Sequence, residues 1–192
     1  MISTESVKSI DRSEMFRCIS DFPAQVEEAI KIGSRANLRA LKAPFSSIVL
    51  TGMGGSAIGG DLLRSYVSQE LGVPFLVNRS YLLPACVNKS TLVVVSSYSG
   101  NTEETLAAYK AARERNAKIL CLTTGGGVLR LAERHGNAVI KVIPGLQPRA
   151  ALGYSFFPLL LALTRIGLLR NQDRSIRETV DILWNLSRRL GD

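Results

Sequence analysis

The hydroxyl-rich stretch Ser97-Tyr98-Ser99-Gly100-Asn101-Thr102 is where this chain could do chemistry. Ser97, Ser99 and Thr102 offer hydrogen-bond donors that carry no charge of their own. They fall between a β-branched, apolar run, Thr91 to Val95, and a helical pattern through Leu106, Ala107, Tyr109, Lys110 and Ala111. A helix N-terminus presents unpaired N–H groups and a partial positive charge. Neutral hydroxyls beside that terminus suit a phosphate that must bind and later leave. Asn101 is expected to cap the helix, with Glu104 as its capping-box partner. Taken alone, the same residues also read as a serine-rich turn that only caps a helix.

A second turn strengthens the anion reading. Ser46 to Leu50 reads as a buried strand that runs into Thr51-Gly52-Met53-Gly54-Gly55-Ser56. Glycines there let the backbone turn tightly and let a ligand approach the N–H groups. Ser56 lies where the next helix, through Ile58, Leu62, Leu63 and Tyr66, would begin.

The elements that must position these turns alternate between strand and helix. Candidate strands lie near 47–51, 74–78, 91–96, 117–122 and 138–143. Helical patterns lie near 56–70 and 102–115, with a shorter one from Val128 to His135. Two more follow, Tyr154 to Leu169 and Ser175 to Leu190. Such alternation predicts an α/β fold: a three-layer αβα sandwich around a five-stranded parallel sheet. In the flavodoxin-like order 2-1-3-4-5, strands 1 and 3 flank the switch point where ligands bind. Both turns would then face one crevice.

The residues quoted so far resemble a known family. Gly52-Met53-Gly54-Gly55-Ser56 with Ser97-Tyr98-Ser99-Gly100-Asn101-Thr102 is similar to the first sugar isomerase (SIS) domain of the bifunctional phosphoglucose/phosphomannose isomerases. Pro148-Arg149-Ala150-Ala151-Leu152-Gly153-Tyr154-Ser155 resembles that family's stretch entering the helix after the first sheet. The likeness spans roughly residues 20 to 190. It implies aldose–ketose interconversion of hexose 6-phosphates, glucose or mannose to fructose, through an enediol or enediolate. It also implies that Ser97, Ser99 and Thr102 bind the phosphate, and that Gly55 and Ser56 contact the sugar. By the same resemblance Arg149 would steady the enediolate charge, as a fixed cation can. No cofactor and no metal are implied, and the family is dimeric.

The resemblance also implies two groups that do not appear here: a catalytic glutamate just past the first domain and a ring-opening histidine in a second SIS domain. The only histidine is His135, before a glycine at a helix end, where a cation complements the dipole. Glu103 and Glu104 suit the first helical turn better than a phosphate site, which they would repel. Asp61 could contact the sugar or only the start of a helix. Alternation turns Tyr98 away from the ligand, into packing. The position of Arg149, after the fifth strand and before an apolar helix, is a partial case for it, but most arginines of this chain are solvated, and without the resemblance it reads as a surface residue.

The organisation expected is an N-terminal arm or helix over 1–20 and an SIS sugar-phosphate-binding domain over 21–153. Over 154–192, C-terminal helices lead toward a second SIS domain that is absent. The chain alone is therefore expected to show weak or absent turnover.

At 192 residues and 46% hydrophobic, the chain suits one globular domain. The apolar segment Phe156 to Leu163 is too short for a membrane span and should be buried, with a dimer interface as one possible cover. Residues 3–11 lack the apolar core of a secretory signal. Cys18, Cys86 and Cys121 have no metal-like spacing and read as reduced thiols of a cytoplasmic protein. The net charge is +8, but the cations look dispersed and no basic run is interleaved with aromatics, which argues against a nucleic-acid partner.

Two other readings stay open. One is a non-catalytic SIS module that senses a sugar phosphate. The other is an NADP-binding Rossmann domain, since Gly52 to Ala57 satisfies Gly-x-Gly-x-x-Ala and Arg79 follows the second strand.

Overall fold

The structure, a computed structural model, describes residues 10–190. Residues 1–9 of the expected N-terminal arm, and 191–192 at the other end, lie outside the described residues. Helix α1 (Met15–Ser20) and helix α2 (Phe22–Arg35) precede strand β1 (Ser47–Thr51) and helix α3 (Gly54–Tyr66). Strands β2 (Phe75–Asn78) and β3 (Thr91–Ser96) follow, then helix α4 (Glu103–Glu114). Strand β4 (Lys118–Thr123), helix α5 (Gly126–Arg134) and strand β5 (Ala138–Lys141) complete the sheet. A 3-10 turn (Pro148–Ala150) then leads to helices α6 (Leu152–Arg165) and α7 (Asp173–Leu190).

The sheet is five-stranded, wholly parallel and ordered β2-β1-β3-β4-β5, as expected. Its central strands are buried on both faces, which is why they read as unbroken apolar runs. The period of two assigns each face its helices. Ile48, Leu50, Leu92, Val94, Leu120 and Leu122 face one core with residues of α2, α3 and α6. Val49, Val93, Val95, Ile119 and Cys121 face a second core with α4 and α5. Cys121 is fully buried, and desolvation pushes its thiol up to about 12.

Helix α6 is buried along most of its length, from Gly153 through Leu163. Its cover is internal: sheet and α3 on one side, α2 on the other, with α7 packed in turn on α2. A dimer interface is not needed to explain its apolar circumference. Trp184 Nε1 on α7 donates to Glu27 Oε1 on α2 at 2.8 Å, which fixes the outer helix. No described helix is long and apolar enough to cross a membrane.

Candidate functional site

Strands β1 and β3 are neighbours, with Thr51 opposite Val95, while β2 and β4 lie on their outer sides. The winding therefore reverses between β1 and β3, and the turns that follow these two strands open side by side. They are also bonded together. Ser96 Oγ donates to Ser56 O at 3.2 Å, and Tyr98 N donates to Ser56 Oγ at 3.2 Å. Ser56 is buried at 7% exposure, so its side chain acts first as a brace between the turns. Its hydroxyl proton is still available to a ligand.

The second turn is built inward from Ser97, which is only 1% exposed. Its hydroxyl donates to Thr102 Oγ1 at 3.0 Å and accepts from Gly100 N at 3.1 Å. Ser99 is exposed at the rim and accepts from Asn101 N at 3.3 Å. Thr102, in extended conformation, is the N-cap residue of α4, and no side chain caps that helix. Helix α3 likewise begins without a side-chain cap, after Met53. Two helix N-termini thus leave their first N–H groups to solvent or ligand at one crevice.

Asn101 does not take the capping role expected of it. Its Oδ1 accepts instead from Gly127 N at 2.9 Å. The cause is a third turn, Thr123-Thr124-Gly125-Gly126-Gly127 after β4, which packs against the second. Thr124 donates to Tyr98 O through its N at 3.0 Å and its hydroxyl at 2.7 Å. Val128 N donates to Gly100 O at 2.9 Å. Gly100 takes φ of +71°, and a Cβ there would overlap the Gly125 carbonyl. This supporting turn was missed in the sequence, although its threonines and glycines directly after a strand are a readable signal.

Tyr98 turns into packing, as alternation predicts. Its hydroxyl donates to Ile143 O at 2.7 Å and accepts from Leu146 N at 3.1 Å, holding the segment after β5. Tyr98→Phe is expected to cost about 1–2 kcal/mol in denaturant unfolding. A loss below about 0.5 kcal/mol would mean that this hydroxyl does not hold the segment.

Arg149 is exposed in the 3-10 turn, and among the described residues it forms no ion pair. Its backbone is placed from two sides. A Cβ on Gly55 would lie 2.6 Å from Pro148 O, so only glycine lets the first turn approach this closely. On the other side Gln25 Nε2 donates to Ala150 O at 2.8 Å, and Gly153 N donates to Gln25 Oε1 at 2.9 Å. Gln25, at 8% exposure, was also missed in the sequence. Arg149 borders an apolar cavity of about 500 Å³ between α1, α2 and α7, whose walls include none of Ser56, Ser97 and Ser99.

Of the remaining candidates, His135 lies apart, while Glu103 and Glu104 stand beside the crevice. His135 closes α5 at the end remote from the crevice, stacked on Tyr109 with Nδ1 3.0 Å from its hydroxyl. Desolvation first, then the Arg113 and Arg134 charges, lower its pKa. Asp61 pairs with Arg79 and lies 3.7 Å from Arg64. Glu103 and Glu104 occupy the first turn of α4 and, after desolvation, help raise the pKa of Tyr81. Among the described residues no group of His, Cys, Asp and Glu could hold a metal ion.

The SIS domain model matches residues 43–138, half of the chain, and these include both turns and the third that supports them. The chain belongs to the SIS domain family. Within it, the chain is 48% identical over 175 residues to a bifunctional phosphoglucose/phosphomannose isomerase of Caldicellulosiruptor bescii, covering 91% of this chain and 52% of that protein. It is 38% identical over 144 residues to the enzyme of that name from Thermoplasma acidophilum, covering 75% and 43%. The family expected from the motifs is therefore the one found. This SIS chain spans about half the length of the curated relatives it matches.

Solved structures share the fold. The C-terminal domain of glucosamine-fructose-6-phosphate aminotransferase from Francisella tularensis has a TM-score of 0.65 at 17% identity, covering 92% of this chain and 55% of that one. The Vibrio vulnificus NanR protein, complexed with ManNAc-6P, has a TM-score of 0.60 at 17% identity, covering 93% and 73%.

Proposed function

We propose that this SIS domain binds a hexose 6-phosphate at the β1–β3 crevice and forms part of a phosphoglucose/phosphomannose isomerase. One observation supports the reading: Gly55, Ser56, Ser97, Ser99 and Thr102, named from the sequence, lie at one end of the sheet at its switch point, with the backbone of the Arg149 turn packed against Gly55. Ser97, Ser99, Thr102 and the first N–H groups of α4 receive the phosphate. Gly55 and Ser56 meet the sugar from the opposite wall. Arg149, exposed and unpaired among the described residues, supplies a cation toward C1 and C2, where enediolate charge develops.

Isomerisation also needs a base to move the proton between C1 and C2, and a group to open the ring. His135 lies at the far end of α5, and Glu103 and Glu104, although in the first turn of α4, suit the helix dipole and would repel the phosphate. Residues 21–153 form the binding unit in this reading, and α6 and α7 lead toward the part that supplies the missing groups. Action in the cytoplasm as a homodimer belongs to the same proposal. Arg79, held by Asp61, is poorly placed to recognise a dinucleotide phosphate.

The test is a binding and turnover comparison on the purified chain. Fructose 6-phosphate should bind saturably, unphosphorylated fructose should not, and glucose 6-phosphate should not be converted. Binding of NADPH in place of the sugar phosphate would overturn the reading.

A further inference from the structure

Four cations that look dispersed in the sequence meet at the end of the sheet opposite the crevice. Arg35 closes α2, Arg165 closes α6, and Arg39 and Lys42 lie on the segment leading into β1. All are exposed, and all border one groove of about 720 Å³. No carboxylate lines that groove, and none of the four forms an ion pair among the described residues.

Helix capping does not account for the cluster. The C-termini of α2 and α6 each carry only about half a negative charge. Four full positive charges therefore leave an excess of about three. One of the cations is already fixed: Arg165 Nη1 donates to Gly33 O at 2.7 Å, which leaves its other N–H groups free to bind. Asn37 adds an amide donor, because its Oδ1 is taken by Arg39 N at 3.2 Å.

We propose that this groove is a second anion site, for a compact triphosphate group. A groove of about 720 Å³ has room for several phosphates, and its four cations offer more charge than one phosphate carries. A triphosphate chain carries about as much charge as the groove presents. No aromatic side chain lines the groove, so it offers no platform for a base, and recognition rests on the phosphates themselves. The site is independent of the sugar-phosphate reading.

Calorimetric titration of the full chain with inorganic triphosphate, without divalent metal, tests it. Saturable binding is expected, weakened roughly tenfold or more by Arg39→Gln with Lys42→Gln. Ser97→Ala with Thr102→Ala, in the crevice, should leave it unchanged, as should Arg188→Gln with Arg189→Gln on the exposed face of α7. ATP should bind about as well as triphosphate, which would place recognition in the phosphates; much tighter ATP binding would overturn that assignment. Absence of saturable binding, loss with the crevice variant, or equal loss with the α7 variant would each overturn the site.

Discussion

Gly100→Ala is expected to destabilise the chain by about 3–4 kcal/mol and to abolish sugar-phosphate binding. Two effects combine. An L side chain at φ of +71° costs about 1–2 kcal/mol by itself. The added methyl also overlaps the Gly125 carbonyl and would lie 2.7 Å from Thr123 Oγ1. Neither obstacle is the far end of a flexible side chain, so the second and third turns must separate. That movement breaks the Val128 N to Gly100 O and Thr124 N to Tyr98 O bonds and releases Ser97 from Thr102. Urea unfolding with circular dichroism measures the stability. A loss under about 1 kcal/mol would mean that the packed turns do not hold the site.

Gln25→Leu should lower stability by about 2–3 kcal/mol, because it leaves the buried Gly153 N and the half-buried Ala150 O without their side-chain partner. Its effect on function runs through Arg149, whose turn these bonds position. Affinity for a sugar-acid phosphate that mimics the enediolate should fall in Gln25→Leu. In an Arg149→Ala background the same substitution should change that affinity little, while the stability loss persists. Gln25→Glu should not restore stability, since a carboxylate cannot donate to Ala150 O. Additive losses of affinity in the double variant would show that Gln25 acts by some route other than Arg149.

The parts of this architecture that were legible in the sequence are those encoded locally. Thr91 to Val95 is an unbroken buried run, so β3 could be read to within a residue, and the turns that follow β1 and β3 were located by their glycines and hydroxyls. What escaped depends on partners distant in the chain. Gln25 reads as a polar position on a helix, yet its partner Gly153 is 128 residues away. Asn101 has every local mark of an N-cap, but Gly127 N, 26 residues on, competes for its oxygen. Ser56 was expected to face the sugar, and its first duty is to brace Tyr98 N across 42 residues. The same limit hid the basic groove, whose four cations belong to three separate segments.

The most direct test of the central claim is an amide chemical-shift titration of the isotope-labelled chain with fructose 6-phosphate. The phosphate should move the amide signals of Ser97 to Glu104 most, with Gly55 and Ser56 next. Those shifts should vanish in Ser97→Ala with Thr102→Ala. Shifts confined to Arg35–Lys42 and Arg165, or no saturable shifts at all, would contradict a sugar-phosphate site at the β1–β3 crevice.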